Sequence, residues 1–317
     1  FIDLTCLWQC SKITIHRFLD QIKPDIVHGI GTEHPFAYVA ISSRFPSVIT
    51  VHGVMSEVVK KVSVGLLSPK RAYSSLEKYV LKRAQHIISI SPYVKTSLGK
   101  YARDAKFYDI ENCIDEVFFD MSYSANNIQK PAVLFIGMLQ PRKGVLELAQ
   151  AFKIVNEKHS DVSLKIVGPV LPGEEEYYSN LMSYIKDNKL TNNVEFLGYR
   201  DAISTAKELS KANMLVLSSR EETAPMVISE AMAVGIPVIA TKVGGVPSMI
   251  RDGETGFLVD IGDIEGLAQR MSLLLEDETL RKEMGRKARE EARRRFHPNV
   301  IAEKTREVYQ RILEQRK

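Results

Sequence analysis

The sequence predicts an α/β protein of two domains, each a parallel sheet with crossover helices. Three observations carry this. Short β-branched apolar runs alternate with longer helical patterns along the whole chain. A length of 317 residues suggests about two domains. One polar segment, MSYSANNIQKP at 121–131, lacks apolar periodicity, ends in proline and separates two such series. With 44% hydrophobic and 26% charged residues, the composition suits a folded globular chain with a sizeable core.

In chain order, the first series has the strand-like runs DIVHGI, SVITVHG, HIISIS and KFYDIEN. The second has AVLFIGM, SLKIVG, VEFLG, MLVLSS, PVIAT and GFLVD. Helical stretches such as GVLELAQAFKIVNEKH and EYYSNLMSYIKDN lie between them. The domains are read as 1–125 and 126–298, followed by a terminal helix over 299–317. A doubly wound domain usually opens with a strand and a glycine-rich turn. This chain opens with the more helical FIDLTCLWQCSKITIHRFLDQIK, so its first domain is expected to be incomplete at its start.

The formal charge of +4 is small. It fits an acidic small-molecule ligand without requiring one, and no concentrated basic stripe points to nucleic acid. The basic residues of RKEMGRKAREEARRRF, 281–296, alternate with glutamate. They read as a solvated helix face, with attraction to a membrane surface as the other reading. Cys6, Cys10 and Cys113 make no disulfide framework and are expected to be buried thiols in a reducing compartment. No apolar run reaches the roughly 18 residues that span a bilayer, and no secretory leader is legible. A cytoplasmic protein is expected, with peripheral contact at the inner membrane surface left open.

Four patterns are candidates for chemistry. In EETAPMVISE, Glu222 follows the strand MLVLSS, where open α/β sheets bind ligands. Thr223 or Ala224 can cap the next helix, and Pro225 suits its first turn. Glu230 then lies more than a turn inside the helix. The two carboxylates bracket a helix start, formed with Met226 and Val227, that favours anions. A ligand with hydroxyls at both ends and phosphate between them matches, as in a nucleotide-sugar. A helix-dipole glutamate and a solvated one would give the same pattern. In GMLQPRKGV, Gly137 ends a strand and Arg142 and Lys143 precede a helix start, where two cations suit a diphosphate. They also fit exposed loop cations. Gly244 and Gly245 follow a strand and permit backbone approach to phosphate, or form a plain turn. His52 ends the strand ITVHG and is either an active-site or a structural histidine; His28 has weaker claims.

The order of these patterns resembles the family-4 retaining glycosyltransferases, of the two-domain GT-B type. The most specific stretch is EETAPMVISEAMAVGIPVIATKVGGVPSMIRDGETGFLV. PDIVHGIGT, ITVHG, SISPYVK and IENCIDEVFF also match, with Asn112 and Asp115 in the last. The resemblance implies two Rossmann-like domains facing a cleft, with the terminal helix crossing back to the first. It implies that Glu222 faces the donor sugar, Glu230 the nucleotide ribose, and Lys143 the phosphates, with His52 as the active-site histidine. Met138 stands where the family usually has arginine; either Arg142 substitutes for it or diphosphate binding is weaker. The chain contains no D-x-D tripeptide, in agreement with chemistry that needs neither metal nor cofactor. The implied function is retaining transfer of a hexosyl unit from a nucleotide-diphospho-sugar to a hydroxyl acceptor. The rival readings are a nucleotide-sugar epimerase of similar fold and a catalytically degenerate nucleotide-sugar-binding protein.

Overall fold

The computed structural model describes residues 8–61, 68–122 and 130–315. Contacts divide the chain into two compact units, Phe1–Asn112 with Ile301–Lys317, and Cys113–Val300. Each is an α/β layered structure around a parallel sheet. Every strand-like run named above forms a strand.

The first unit has β1 (Val27–Ile30), β2 (Ser47–Val51), β3 (His86–Ser89) and β4 (Lys106–Asp109), side by side in that order. Pairing is parallel throughout, for example Ile49 opposite Ile87 and Ile87 opposite Phe107. The helices are α1 (Gln9–Ile22), α2 (Phe36–Ile41), α3 (Met55–Lys61), α4 (Pro69–Leu81) and α5 (Pro92–Leu98). In α4 and α5 a serine precedes a proline in the first turn, where the missing N–H is no loss. β2 is buried from Val48 to Val51, so its side chains are apolar or small on both faces.

The second unit opens with the short helix α6 (Val117–Asp120). Its strands are β5 (Ala132–Ile136), β6 (Ser163–Val167), β7 (Val194–Gly198), β8 (Met214–Leu217), β9 (Val238–Thr241) and β10 (Gly256–Val259). The helices that follow α6 are α7 (Val145–Lys158), α8 (Glu175–Asp187), α9 (Ala202–Ser210), α10 (Met226–Val234), α11 (Ile264–Glu276), α12 (Glu278–Arg295) and α13 (Pro298–Glu314). The sheet order is β10-β9-β8-β5-β6-β7. One continuous core holds Phe135, Phe152, Leu164, Leu215, Ile239 and Phe296. The end of α13 packs in the first unit, where Val308 and Ile312 join Val48, Ile88, Tyr108 and Ile110.

Three expectations need correction. The boundary read at 125/126 lies outside the described residues, and contacts divide the chain at 112/113 instead. Residues 113–121 join the second core because Ile114, Phe118 and Phe119 are buried in it. Arg289 also donates to the carbonyls of Phe119 (2.6 Å) and Met121. The basic helix α12 is therefore not a solvated face throughout. Arg286 does form exposed ion pairs with Glu283 and Glu290. Arg281, however, is buried and donates to the Leu274 carbonyl. Cys10 and Cys113 are exposed rather than buried, and Cys6 lies outside the described residues. Among the described residues, no helix is long and apolar enough to cross a membrane.

Candidate functional site

The chain leaves β5 towards β6 and β7 on one side and returns as β8 on the other. The connections that follow β5 and β8 therefore run to opposite sides along the sheet, and between such strands doubly wound sheets take ligands. Gly137, Arg142 and Lys143 lie on the first of these connections, and Glu222 on the second.

The β5 loop closes in a single turn, Pro141–Lys143, and ends at Gly144 with φ +65°. A Cβ at Gly144 would stand 2.1 Å from the Ser218 carbonyl oxygen, so only glycine lets the two loops approach. A Cβ at Gly137 would stand 3.1 Å from Phe135 Cζ, a tight approach, and in ordinary contact with Lys143 Cδ at 3.7 Å. The loops are then stitched together. Arg220 N–H donates to Arg142 O (2.8 Å), Ser218 Oγ to Gly144 O (2.7 Å) and Arg142 Nη1 to Glu221 O (2.8 Å). Gly144→Ala is expected to destabilise the protein by more than about 3 kcal/mol, since left-handed strain and a backbone clash add. Gly173→Ala has the same strain but nothing within 4 Å of its Cβ, so it should cost about 1–2 kcal/mol. Thermal unfolding of both variants measures the difference.

These contacts bring Lys143 Nζ to 2.6 Å from Glu222 Oε1. Ser219 Oγ donates to the same oxygen at 2.7 Å, and Arg142 Nη1 stands 3.8 Å from Oε2. Glu222 is 8% exposed and Lys143 12%, so the pair is nearly out of water. Met138, by contrast, is an exposed side chain. Sequence reasoning missed Ser219 and Thr241. Thr241 Oγ1 donates to the Ser219 carbonyl and fixes the residue that orients Glu222. Their only signal is small polar residues closing buried strands. Gly168 was also missed: at φ +138° its Cβ would overlap the Gly137 carbonyl oxygen.

Helix α10 begins at Met226 with Pro225 at its N-cap, one residue later than the first-turn proline that was expected. The N-cap residue keeps an extended ψ of 116°, which suits the loop leaving Glu222. Ala224 is partly buried against the core, as is Val227, while Met226 is exposed. No side chain caps this helix start, and the Ile228 N–H donates back to the Pro225 carbonyl oxygen at 3.1 Å. Glu230 is in the second turn. It makes no hydrogen bond or ion pair among the described residues, and burial pushes its carboxyl up to about 7. Gly244 has φ +50°, and the Gly245 N–H donates to the Glu222 carbonyl oxygen at 3.3 Å. Gly245 thereby ties the β9 loop to the β8 loop.

In the first unit, His52 directly follows β2. Burial lowers its pKa, against the opposing effects of the Glu33 charge and the Asn112 side chain. Near pH 7 it is therefore chiefly neutral. His28 is structural: its ring nitrogens bond Thr50 Oγ1 (2.6 Å) and Tyr309 OH (2.7 Å), which joins β1, β2 and α13. Among the described residues no cluster of three or more His, Cys, Asp and Glu could hold a metal ion.

Residues 120–291 match the family Glycosyl transferases group 1, and residues 8–118 match Glycosyltransferase Family 4. The chain belongs to the family-4, group 1 glycosyltransferases. It is 30% identical to N-acetyl-alpha-D-glucosaminyl L-malate synthase of Bacillus anthracis, over 98% of this chain and 80% of that protein. It is 28% identical to a capsular polysaccharide biosynthesis glycosyltransferase of Staphylococcus aureus, over 92% and 78% of the two chains. Among solved structures, sucrose-phosphate synthase of Thermosynechococcus elongatus superposes with TM-score 0.82 at 22% identity, over 96% of this chain and 78% of that one. Anabaena HepE, solved with UDP-glucose, gives TM-score 0.78 at 23% identity, over 94% and 81%. This glycosyltransferase therefore has the GT-B fold, with two Rossmann-like domains.

Proposed function

We propose that the protein transfers a hexosyl unit from a nucleotide-diphospho-sugar to a hydroxyl acceptor, with retention of configuration and without a metal. The observation that supports this best is the Lys143–Glu222 contact at 2.6 Å, at the point where the strand order of the second sheet reverses. A diphosphate placed there meets Lys143, Arg142 and the uncapped start of α10. These groups neutralise the charge that develops as the nucleoside diphosphate departs. Glu222, held by Ser219, faces the hexose, and Glu230 receives the ribose hydroxyls. His52, chiefly neutral, offers a ring that can donate to or accept from a sugar hydroxyl. No covalent enzyme nucleophile is required. The UDP-glucose bound by Anabaena HepE makes a uridine nucleotide-sugar the first donor to test.

One observation favours a second reading, a nucleotide-sugar-binding protein without turnover: Met138 is exposed where the family usually places arginine. A thermal-shift panel of UDP-, GDP- and ADP-sugars tests the donor, and at least one is expected to raise Tm. Donor hydrolysis or transfer by the full-length protein then separates enzyme from binder. Turnover is expected to persist in EDTA and to give a product with the anomeric configuration of the donor, read by NMR. Loss of turnover in EDTA with recovery on adding manganese would overturn the metal-independent reading.

A further inference from the structure

We propose that Glu33, on the loop after β1, is a substrate-binding residue whose Oε2 accepts a hydrogen bond from a ligand hydroxyl. The proposal rests on the glycosyl-transfer reading and adds a residue to it that neither the sequence resemblance nor the relatives assign.

Glu33 Oε2 is buried and has no hydrogen-bond partner among the described residues. An ionised carboxylate is an acceptor only, and leaving one of its oxygens dry and unbonded disfavours the folded state. Such orphaned atoms are few in native proteins, and each calls for a cause. The missing group must be a donor. Sugars and their acceptors are rich in hydroxyl donors.

The surroundings form a built cradle rather than a loose loop. Gly31 takes φ +83° and its N–H donates to Thr50 O (2.9 Å), which turns the chain back over β2. Thr32 Oγ1 donates to Glu77 Oε2 (3.2 Å). The N–H groups of Met55 and Ser56 donate to the same carboxylate, each at 2.9 Å. Glu77 is fully buried, so one carboxylate clamps the loops that carry Glu33 and His52. The Glu33 carboxylate lies between two glycines. A Cβ at Gly31 would stand 3.0 Å from its Cδ, and one at Gly53 would stand 3.9 Å from Oε2. His52 is the residue beside Gly53, and Glu33 is close enough to act on its charge. An acceptor and a ring that can donate or accept thus share one edge of the first sheet, as recognition of a polyol requires.

The hydroxyl can come from the donor hexose or from the acceptor, and the assay distinguishes them. Full-length wild type and Glu33→Gln are compared in three measurements: ligand-free Tm, hydrolysis of the nucleotide-glucose that gives the largest thermal shift, and transfer to the acceptor. Glu33→Gln is expected to keep or raise Tm, because Oε2 has no hydrogen bond to lose, and to lower one activity roughly ten- to a hundredfold. A raised donor KM in hydrolysis assigns the hydroxyl to the hexose. Unchanged hydrolysis with impaired transfer assigns it to the acceptor. A lower Tm would make Glu33 a structural support and overturn the proposal, as would wild-type kinetics in both assays. If wild type itself neither binds nor turns over any nucleotide-sugar, the proposal falls with the glycosyl-transfer reading, a failure recognisable because it precedes any mutation.

Discussion

Glu230→Gln is expected to stabilise the ligand-free protein at pH 8.5 while weakening its hold on nucleotide. Burial raises the Glu230 carboxyl from 4.5 to about 7. The folded protein therefore binds a proton here between those values that the unfolded chain releases. Stability contributed by this group is fully present below about 4.5, falls as pH rises through about 7, and stays low above that. Full conversion of the shift would overstate it, because the side chain is partly accessible to solvent. After discounting for screening, about 2 kcal/mol remains. Glutamine removes the ionisation, so the variant should gain that amount at pH 8.5 and nothing at pH 4. Ligand binding runs the opposite way. Ribose hydroxyls donate to the carboxylate and favour its charged form. Wild-type affinity for a nucleoside diphosphate should thus fall about tenfold per pH unit below 7. The variant should bind ten- to a hundredfold more weakly at pH 8, with a flatter profile. Calorimetry over pH 5.5–8.5 measures both. A variant less stable than wild type at pH 8.5, or a wild-type affinity independent of pH, would remove Glu230 from the ribose site.

Lys143→Ala is expected to be the most damaging change at the site. It removes the cation from a nearly dry ion pair and leaves Glu222 with Ser219 and a more distant Arg142. Breaking such a pair from one side destabilises by about 3–5 kcal/mol, because the remaining charge stays buried. Turnover should fall about a hundred- to a thousandfold, the range for losing one preorganised group that meets developing charge. Glu222→Gln keeps the shape and one acceptor oxygen, so it should be milder in stability. Its effect should fall on kcat, roughly ten- to a hundredfold, since the hexose is where charge changes during reaction. Glu230→Gln, which removes binding common to ground and transition states, should raise donor KM more than it lowers kcat. Steady-state kinetics with donor varied separates the three. If Glu230→Gln alters kcat alone, the two carboxylates have exchanged roles. If all three variants keep wild-type parameters, the crevice at β5 and β8 does not hold the donor.

How much of this was legible depended on the range of the interaction. Strands such as SVITV and AVLFI, and helices such as VLELAQAFKIVNEK, are written in local periodicity and β-branching, which short windows contain. Glu222 after MLVLSS and Lys143 after the Gly137 strand end were readable for the same reason, since each position follows from a strand and a turn beside it. Local pattern was misleading where a side chain's fate depended on a distant neighbour. Arg281 and Arg289 look like members of a solvated basic helix, but carbonyl oxygens from other segments draw them inward. Gly245 reads as a phosphate approach or a plain turn, and its bond to the Glu222 carbonyl, from another strand's loop, is not legible at all.

Lys143 and Glu222 are 79 residues apart, and the 2.6 Å between them exists because β8 lies beside β5 rather than beside β7. Strand order is set by which faces bury together over the whole core. Many orders are compatible with the same alternation of strands and helices, so no window of sequence states it. The same holds for the unsatisfied Glu33 oxygen and the proton affinity of Glu230. Residue type and spacing specify which groups are present and on which elements. Whether a carboxylate is wet or dry, paired or alone, is a property of packed neighbours, and only the folded chain supplies them.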